Sequence, residues 1–152
     1  MATGVILTKL GVQPPVTTVS GTAVTLFSFV LPAGTLGAND EVWVQTAFKH
    51  TTGSTSTAYS FAFGGASVVV NTSAGAGTSS WDVHVGNNGA TNSQIWFQPA
   101  GSNANAFLGP GVGATSAIDT TKNVTIAITA KAASNTDKIT PEYFVVYLIR
   151  HG

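Results

Sequence analysis

At 152 residues, with no cysteine and a formal net charge of zero, the chain is sized for one domain and offers no disulfide, thiolate metal site or cysteine nucleophile. Only 8% of its residues are charged, against roughly a quarter in ordinary soluble domains, so a free monomer has little to oppose self-association and much of its surface is expected to be covered in a stable assembly. No Lys/Arg cluster, basic amphipathic helix, long apolar span or charged segment leading into an apolar core at Met1–Gly4 is present, so nucleic-acid binding, membrane insertion and a signal peptide are not expected.

In chain order, residues 1–15 read as an extended N-terminal arm. Val5-Ile6-Leu7 can pair as a short strand, and Gln13-Pro14-Pro15 forces an extended backbone. Such an apolar arm needs something to lie on; packing on its own sheet is the plain alternative, and the expectation is that it lies across a neighbouring subunit or a shell. Val16–Ser20 reads as a short edge strand. Val24–Leu31 and Val42–Phe48 are β-branched and aromatic, with Pro32 ending the first and Gly34, Gly37 and Asn39-Asp40 shaping the connection. In the second, Val42, Val44, Thr46 and Phe48 share one face, and Trp43, Gln45 and Ala47 the other.

Thr51–Thr57 reads as a loop. Tyr59–Phe63 alternates aromatic with small residues, which predicts that Phe61 and Phe63 face inward, and Gly64-Gly65 turns the chain into Ser67–Val70. Asn71–Ser79 reads as a loop. Trp81–Val85 alternates, Gly86–Gly89 turns, and Gln94–Phe97 returns. Pro99–Ala117 is long for a connection and lacks regular pattern, so it is expected to cross over the sheets or reach a partner. Val124–Thr129 is a strand, Asn135–Asp137 a loop, and Pro141 is expected to block pairing ahead of the last strand. Tyr143–Ile149 is apolar on both faces, as a central or doubly covered strand is.

About eight strands bounded by Gly/Asn/Ser turns, with no convincing long helix, predict an all-β antiparallel sandwich or barrel. Strand count alone does not separate a jelly roll from an immunoglobulin-like sandwich. A likeness does. Leu31-Pro32-Ala33-Gly34-Thr35-Leu36-Gly37-Ala38-Asn39-Asp40 before an alternating strand, Phe61–Gly65, Val85–Gly89 and Ala130–Ile139 occur in an order and spacing that resembles small jelly-roll virion proteins of tailed bacteriophages. That group includes capsid decoration (cement) proteins, tail components and fibre domains. The resemblance implies a single jelly-roll domain over 16–152 and a structural role in the virion, most of all as a decoration protein. It further implies a homotrimer bound to the major capsid protein at the capsid surface, after synthesis in the host cytoplasm. The alternative is a receptor- or carbohydrate-binding module of a tail or fibre. The chain opens at Met1 with no coiled-coil or collagen-like stalk, which favours the free-standing decoration protein.

No residue stands out as catalytic, cofactor-binding or metal-ligating, and no cofactor is expected. Neighbouring side chains at Asp40-Glu41 point apart at a strand start, unlike a carboxylate pair facing one bond. His50, His84 and His151 lack mutual metal spacing. Asp82 and His84 share a strand face opposite Trp81, Val83 and Val85; this face can hold a metal or orient an imidazole, but a solvated face is the better reading. Gly109–Ala114 has the glycine spacing of a dinucleotide loop but lacks the flanking strand and helix. The sequons at Asn71 and Asn123 carry little weight without a secretion signal. Trp43, Trp81, Trp96, Tyr59 and Tyr143 can form a sugar platform, but in alternating strands core packing is the better reading. Trp96, between Ile95 and Phe97, is expected to face outward into an interface or ligand.

Overall fold

The computed structural model describes residues 3–18, 21–50, 57–73, 76–97, 114–133 and 135–151. These form β1 (Thr3–Leu10), β2 (Val16–Thr17), β3 (Ala23–Leu31), β4 (Glu41–His50), β5 (Thr57–Phe63), β6 (Ala66–Ser73), β7 (Gly77–Asn87), β8 (Gln94–Phe97), β9 (Ala114–Ser116), β10 (Val124–Ala132) and β11 (Lys138–Arg150). A seven-stranded sheet runs β1-β11-β4-β7-β8-β9, with β2 also on β11, and a four-stranded sheet runs β3-β10-β5-β6.

The pairing is nested. With the short strands β2, β8 and β9 set aside, the first strand pairs with the last and the next with the one before it, inward to the β5·β6 hairpin. β1·β11, β3·β10, β4·β7 and β5·β6 are all antiparallel. The β11·β4 and β10·β5 ladders then join these pairs into two sheets. A long hairpin rolled into two facing sheets is the jelly roll, so the fold is an all-β antiparallel sandwich of that type. Eight strands make the roll; β8 and β9 widen one sheet.

The core lies between the sheets and follows period-two patterning. Phe48 stacks on Tyr59 at 4.0 Å, Phe27 on Phe144 at 4.9 Å, and Phe61 meets Trp96 edge-on at 5.6 Å. Phe61 and Phe63 are fully buried, as the alternation from Tyr59 predicts. The Pro32–Asp40 connection is held from within by buried polar groups. Asn87 Nδ2 donates to Gly37 O (2.9 Å) and Thr120 Oγ1 (3.0 Å), Gln94 Nε2 donates to Asn87 Oδ1 (2.7 Å), and Leu36 is fully covered. Gly34 takes a positive φ of 71° there, a conformation that costs glycine little.

Three expectations change. Most of the 1–15 arm is a strand of the domain itself: β1 pairs with Phe144–Arg150, and Gln13 N donates to Pro141 O at 2.8 Å. The cause is β11, which is apolar on both faces and needs a neighbour on each side. Pro141 does not stop pairing before the last strand but lies within β11, opposite Phe48, beside an irregularity between Pro141 and Tyr143 where the ladder is already interrupted. The polar stretch after Val70 is mostly strand, since β6 reaches Ser73 and β7 starts at Gly77. Of the 99–117 connection, Ala114–Ser116 forms β9, while 98–113 lie outside the described residues, as do 51–56, on which most of the expected 51–57 loop falls.

Candidate functional site

The outer face of the seven-stranded sheet carries most of the unusual chemistry. Odd-numbered positions of β4 and even-numbered positions of β7 point there. Register places Tyr147 (β11), Trp43 (β4), His84 (β7) and Phe97 (β8) side by side, with Ile6 of β1 beyond Tyr147. Ring centroids are 5.3 Å apart for Tyr147–Trp43, 5.1 Å for Trp43–His84 and 4.5 Å for His84–Phe97, with planes 32°, 22° and 25° from parallel.

Those distances decide how the rings stand. Rings lying flat on the sheet would need about 6 Å between centroids to keep their edge carbons at van der Waals separation. At the spacing observed, close to the ~4.8 Å between strands, Trp43, His84 and Phe97 stand on edge and stack face to face, while Tyr147 meets Trp43 at a tilt. Their faces are therefore spent on one another. Among the described rings, only the ends of the stack remain free, and Phe97 at one end is 38% exposed.

Polar groups flank the stack. Glu41 contacts His84 Nδ1 through Oε1, and its Oε2 lies 3.7 Å from His151 Nε2. Asp40 turns the other way, as adjacent strand positions must. It accepts from Gly37 N (3.0 Å), Arg150 Nη1 (3.1 Å) and His151 N (3.3 Å), so it ties the end of β11 to the connection before β4. Gln45 faces Asp82 in register. Burial raises the Asp82 carboxyl above its usual range, while hydrogen bonding to Gln45, the charge of His84 and the Trp43 indole pull it back. The indole contact falls short of a full hydrogen bond, since Trp43 Nε1 has no partner of normal geometry. Tyr147 is raised chiefly by its hydrogen bond with Tyr143, over whose ring Lys9 Nζ sits at 5.9 Å.

A second cluster is internal. His50 Nε2 lies 3.4 Å from Asp137 Oδ2, both side chains almost wholly buried where the end of β4 meets the start of β11. Thr57 Oγ1 donates to the same carboxylate oxygen at 3.4 Å. This group joins strands of both sheets and is a fastening.

The candidates are thus divided. Asp82 and His84 do share a face, but a half-buried one packed against Trp43. Of the five aromatic candidates, Tyr59, Trp81 and Trp96 are core, whereas Trp43 and Tyr143 are on the outer face. Trp96 does not point outward. It is 2% exposed and donates its indole hydrogen to Ser116 Oγ (2.9 Å), while Ile95 and Phe97 take the outside. The alternation was present with the opposite phase, and the hydroxyl that satisfies the indole comes from β9, which no sequence pattern marks. Asn71 lies in β6, Asn123 Oδ1 accepts from Ala33 N at 2.9 Å, and residues 109–113 lie outside the described residues. Among the described residues, no group of three or more His, Asp or Glu is arranged to hold a metal ion.

The sequence matches no known protein family and no curated protein. Among solved structures, one similar to this chain is the CBM2 module of Lactobacillus casei BL23 phage J-1 evolved Dit. The likeness has a TM-score of 0.41 at 8% identity, covering 82% of this chain and 69% of that one. At that distance it bears on neither function nor ligand.

Proposed function

We propose that this chain is a non-enzymatic structural protein of a tailed-phage virion, a capsid decoration protein that self-associates and sits on the major capsid protein of the shell. The resemblance carried by Leu31–Asp40 and the three later segments supports it. The structural observation behind it is the outer face of the four-stranded sheet. Its cross-strand rows read Ser28–Ala127–Ala62–Ser67, Thr25–Thr129–Ser60–Val69 and Ala23–Lys131–Ala58. Lys131 is the only charge in these rows, and no other long side chain rises from them. A flat neutral surface of this kind packs flush against another surface with little desolvation of charge.

The second reading, a receptor- or carbohydrate-binding module of a phage tail or fibre, is favoured by the ring-bearing face of the other sheet. A sugar would find ring faces open only at the ends of the stack. The test is to add labelled protein to virions lacking it and image them. Saturable label over the shell, with greater resistance of the shell to heat, is the expected outcome. Label confined to the tail would overturn the decoration reading in favour of the second.

A further inference from the structure

We infer that the free edge of β3 is a two-fold seam, at which a second copy of this chain adds its own β3 in antiparallel register centred on Phe29. This rests on the self-association in the proposed function and specifies its contact. β3 is the outermost strand of the four-stranded sheet and, among the described residues, pairs with β10 alone. Its sequence, AVTLFSFVL, has no charge, proline or glycine. Edge strands of solitary proteins are usually guarded by such residues, because an unpaired ladder is a template for another strand. The bulge at Leu26 disturbs only the first half, and Phe27–Leu31 runs in unbroken register with Val124–Ile128.

Among the described residues, the flank beside this edge is open and apolar. Phe27 packs on Phe144 of β11, which puts β3 next to the side where β1 ends the other sheet. Val5 of β1 shares the inward side with its partner Leu148, yet is 48% exposed. Val30, on the outer side of β3 itself, is 51% exposed. A strand added to β3 would extend the small sheet toward the uncovered inner side of β1.

The chemistry of the edge specifies its occupant: an extended, uncharged, β-forming segment. β3 itself answers that description. Centred on Phe29, self-pairing sets Phe27 against Leu31 and Phe29 against Phe29 on the inner side, and Ser28 against Val30 on the outer side. Aromatic and aliphatic cross-strand pairs of this kind are favourable, and no like charges meet. Closure argues the same way. Pairing β3 with the opposite edge, β6, would leave both ends of the sheet open for growth into a filament, whereas a β3–β3 seam closes with two copies. The seam is two-fold where the resemblance implies a trimer.

Ser28 and Val30 are both exposed, so the seam can be tested without touching the core. Native mass and sedimentation are measured for the wild type, for Ser28→Lys with Val30→Lys, and for Ser28→Lys with Val30→Glu, with circular dichroism confirming the fold of each. The proposed register sets position 28 opposite position 30 of the partner. The expected result is an even-numbered wild-type assembly, a monomeric seam in the first variant, where like charges face, and restored assembly in the second, where opposite charges face. A wild-type oligomer whose mass the Lys/Lys variant keeps places the contact elsewhere and overturns the seam, leaving self-association intact. Failure of the Lys/Glu variant to reassemble overturns the Phe29-centred register. A wild type that is monomeric at all concentrations overturns the seam and the self-association together.

Discussion

Tyr59 carries its phenol into the core, stacked on Phe48, and its hydroxyl has no hydrogen-bond partner among the described residues. Burial first, and the Asp137 charge second, push its ionisation well above the ordinary value of 10.0. The folded state therefore keeps this proton at a pH where the unfolded chain has lost it. The stability involved is fully present below the unfolded value near pH ~10 and declines as pH rises beyond it. Tyr59→Phe should change stability at pH 7 by no more than about 1 kcal/mol, since no hydrogen bond is lost, and should shrink the alkaline loss. Urea unfolding at pH 7 and pH 11 checks this; an unchanged alkaline loss would clear the phenol of responsibility. Asp82 has the same sign in the acid range. Its raised folded value means that ionisation weakens the fold as pH climbs through it. Asp82→Asn should raise the melting temperature slightly at pH 7 and leave it unchanged below about pH 3.9, where the unfolded chain is protonated too. A penalty at pH 7 would show that the carboxylate's contacts with Gln45 and His84 outweigh its burial. Parity along each strand was enough to set Trp43 on the face opposite Val42 and Val44 and His84 on a solvated face, but not to show that the Trp43 face is the outer one, where core packing is the expectation for an indole. Their stacking was not legible, because it depends on which strands become neighbours, and β4, β7 and β11 are far apart in the chain.

At the scale of the element, the most legible strands are those with clean alternation between glycine or asparagine turns, β4, β5, β7 and β10, whereas β8 is legible in its bounds but reversed in phase. β5 is the clearest. Phe61→Ala removes a fully buried ring that meets Trp96 edge-on, and should cost about 3–5 kcal/mol in denaturant unfolding. A loss well under a kilocalorie would contradict its packing. β9 escaped notice because three residues in a Gly/Ala-rich stretch carry no period, and the end of β6 because Asn71-Thr72-Ser73 has turn composition. In β1, Val5-Ile6-Leu7 shows that the segment can pair but not with what, because its reason to be a strand of this domain lies at the other end of the chain, in β11. That changes what its removal should do. Deleting residues 1–15 strips one side of β11 and uncovers core now shielded by Leu7 and Leu10. The truncated protein should melt well below the full chain. A truncated form of unchanged melting temperature would return the segment to the status of an arm.

For the whole molecule, scarcity of charge matters most. Several of the charges present are engaged within the chain: Arg150 with Asp40, His84 and His151 with Glu41, His50 with Asp137, and Lys9 over Tyr143. With six Lys/Arg and six Asp/Glu in the whole chain, ion pairs have little to offer between copies, so association should depend on neutral and apolar burial. Such contacts are not weakened by screening beyond a Debye length of about 8 Å at physiological ionic strength, and excluded salts reinforce them. The assembled mass should be the same in dilute buffer and in molar sodium chloride; dissociation on adding salt would show that ion pairs hold it. The nested pairing has a consequence in time. β11 is made after every other strand described, yet it pairs with β1, β2 and β4 and stands inside the larger sheet. A nascent chain cannot close that sheet until β11 has left the ribosome, so the high contact order of this topology delays folding. Throughout that interval the uncharged stretch Ala23–Leu31 is in the open, and a growing polysome holds many copies of it within reach of each other. Chaperone capture of the unfinished chain should therefore centre on this segment, where the same lack of charge that suits a seam invites premature strand pairing.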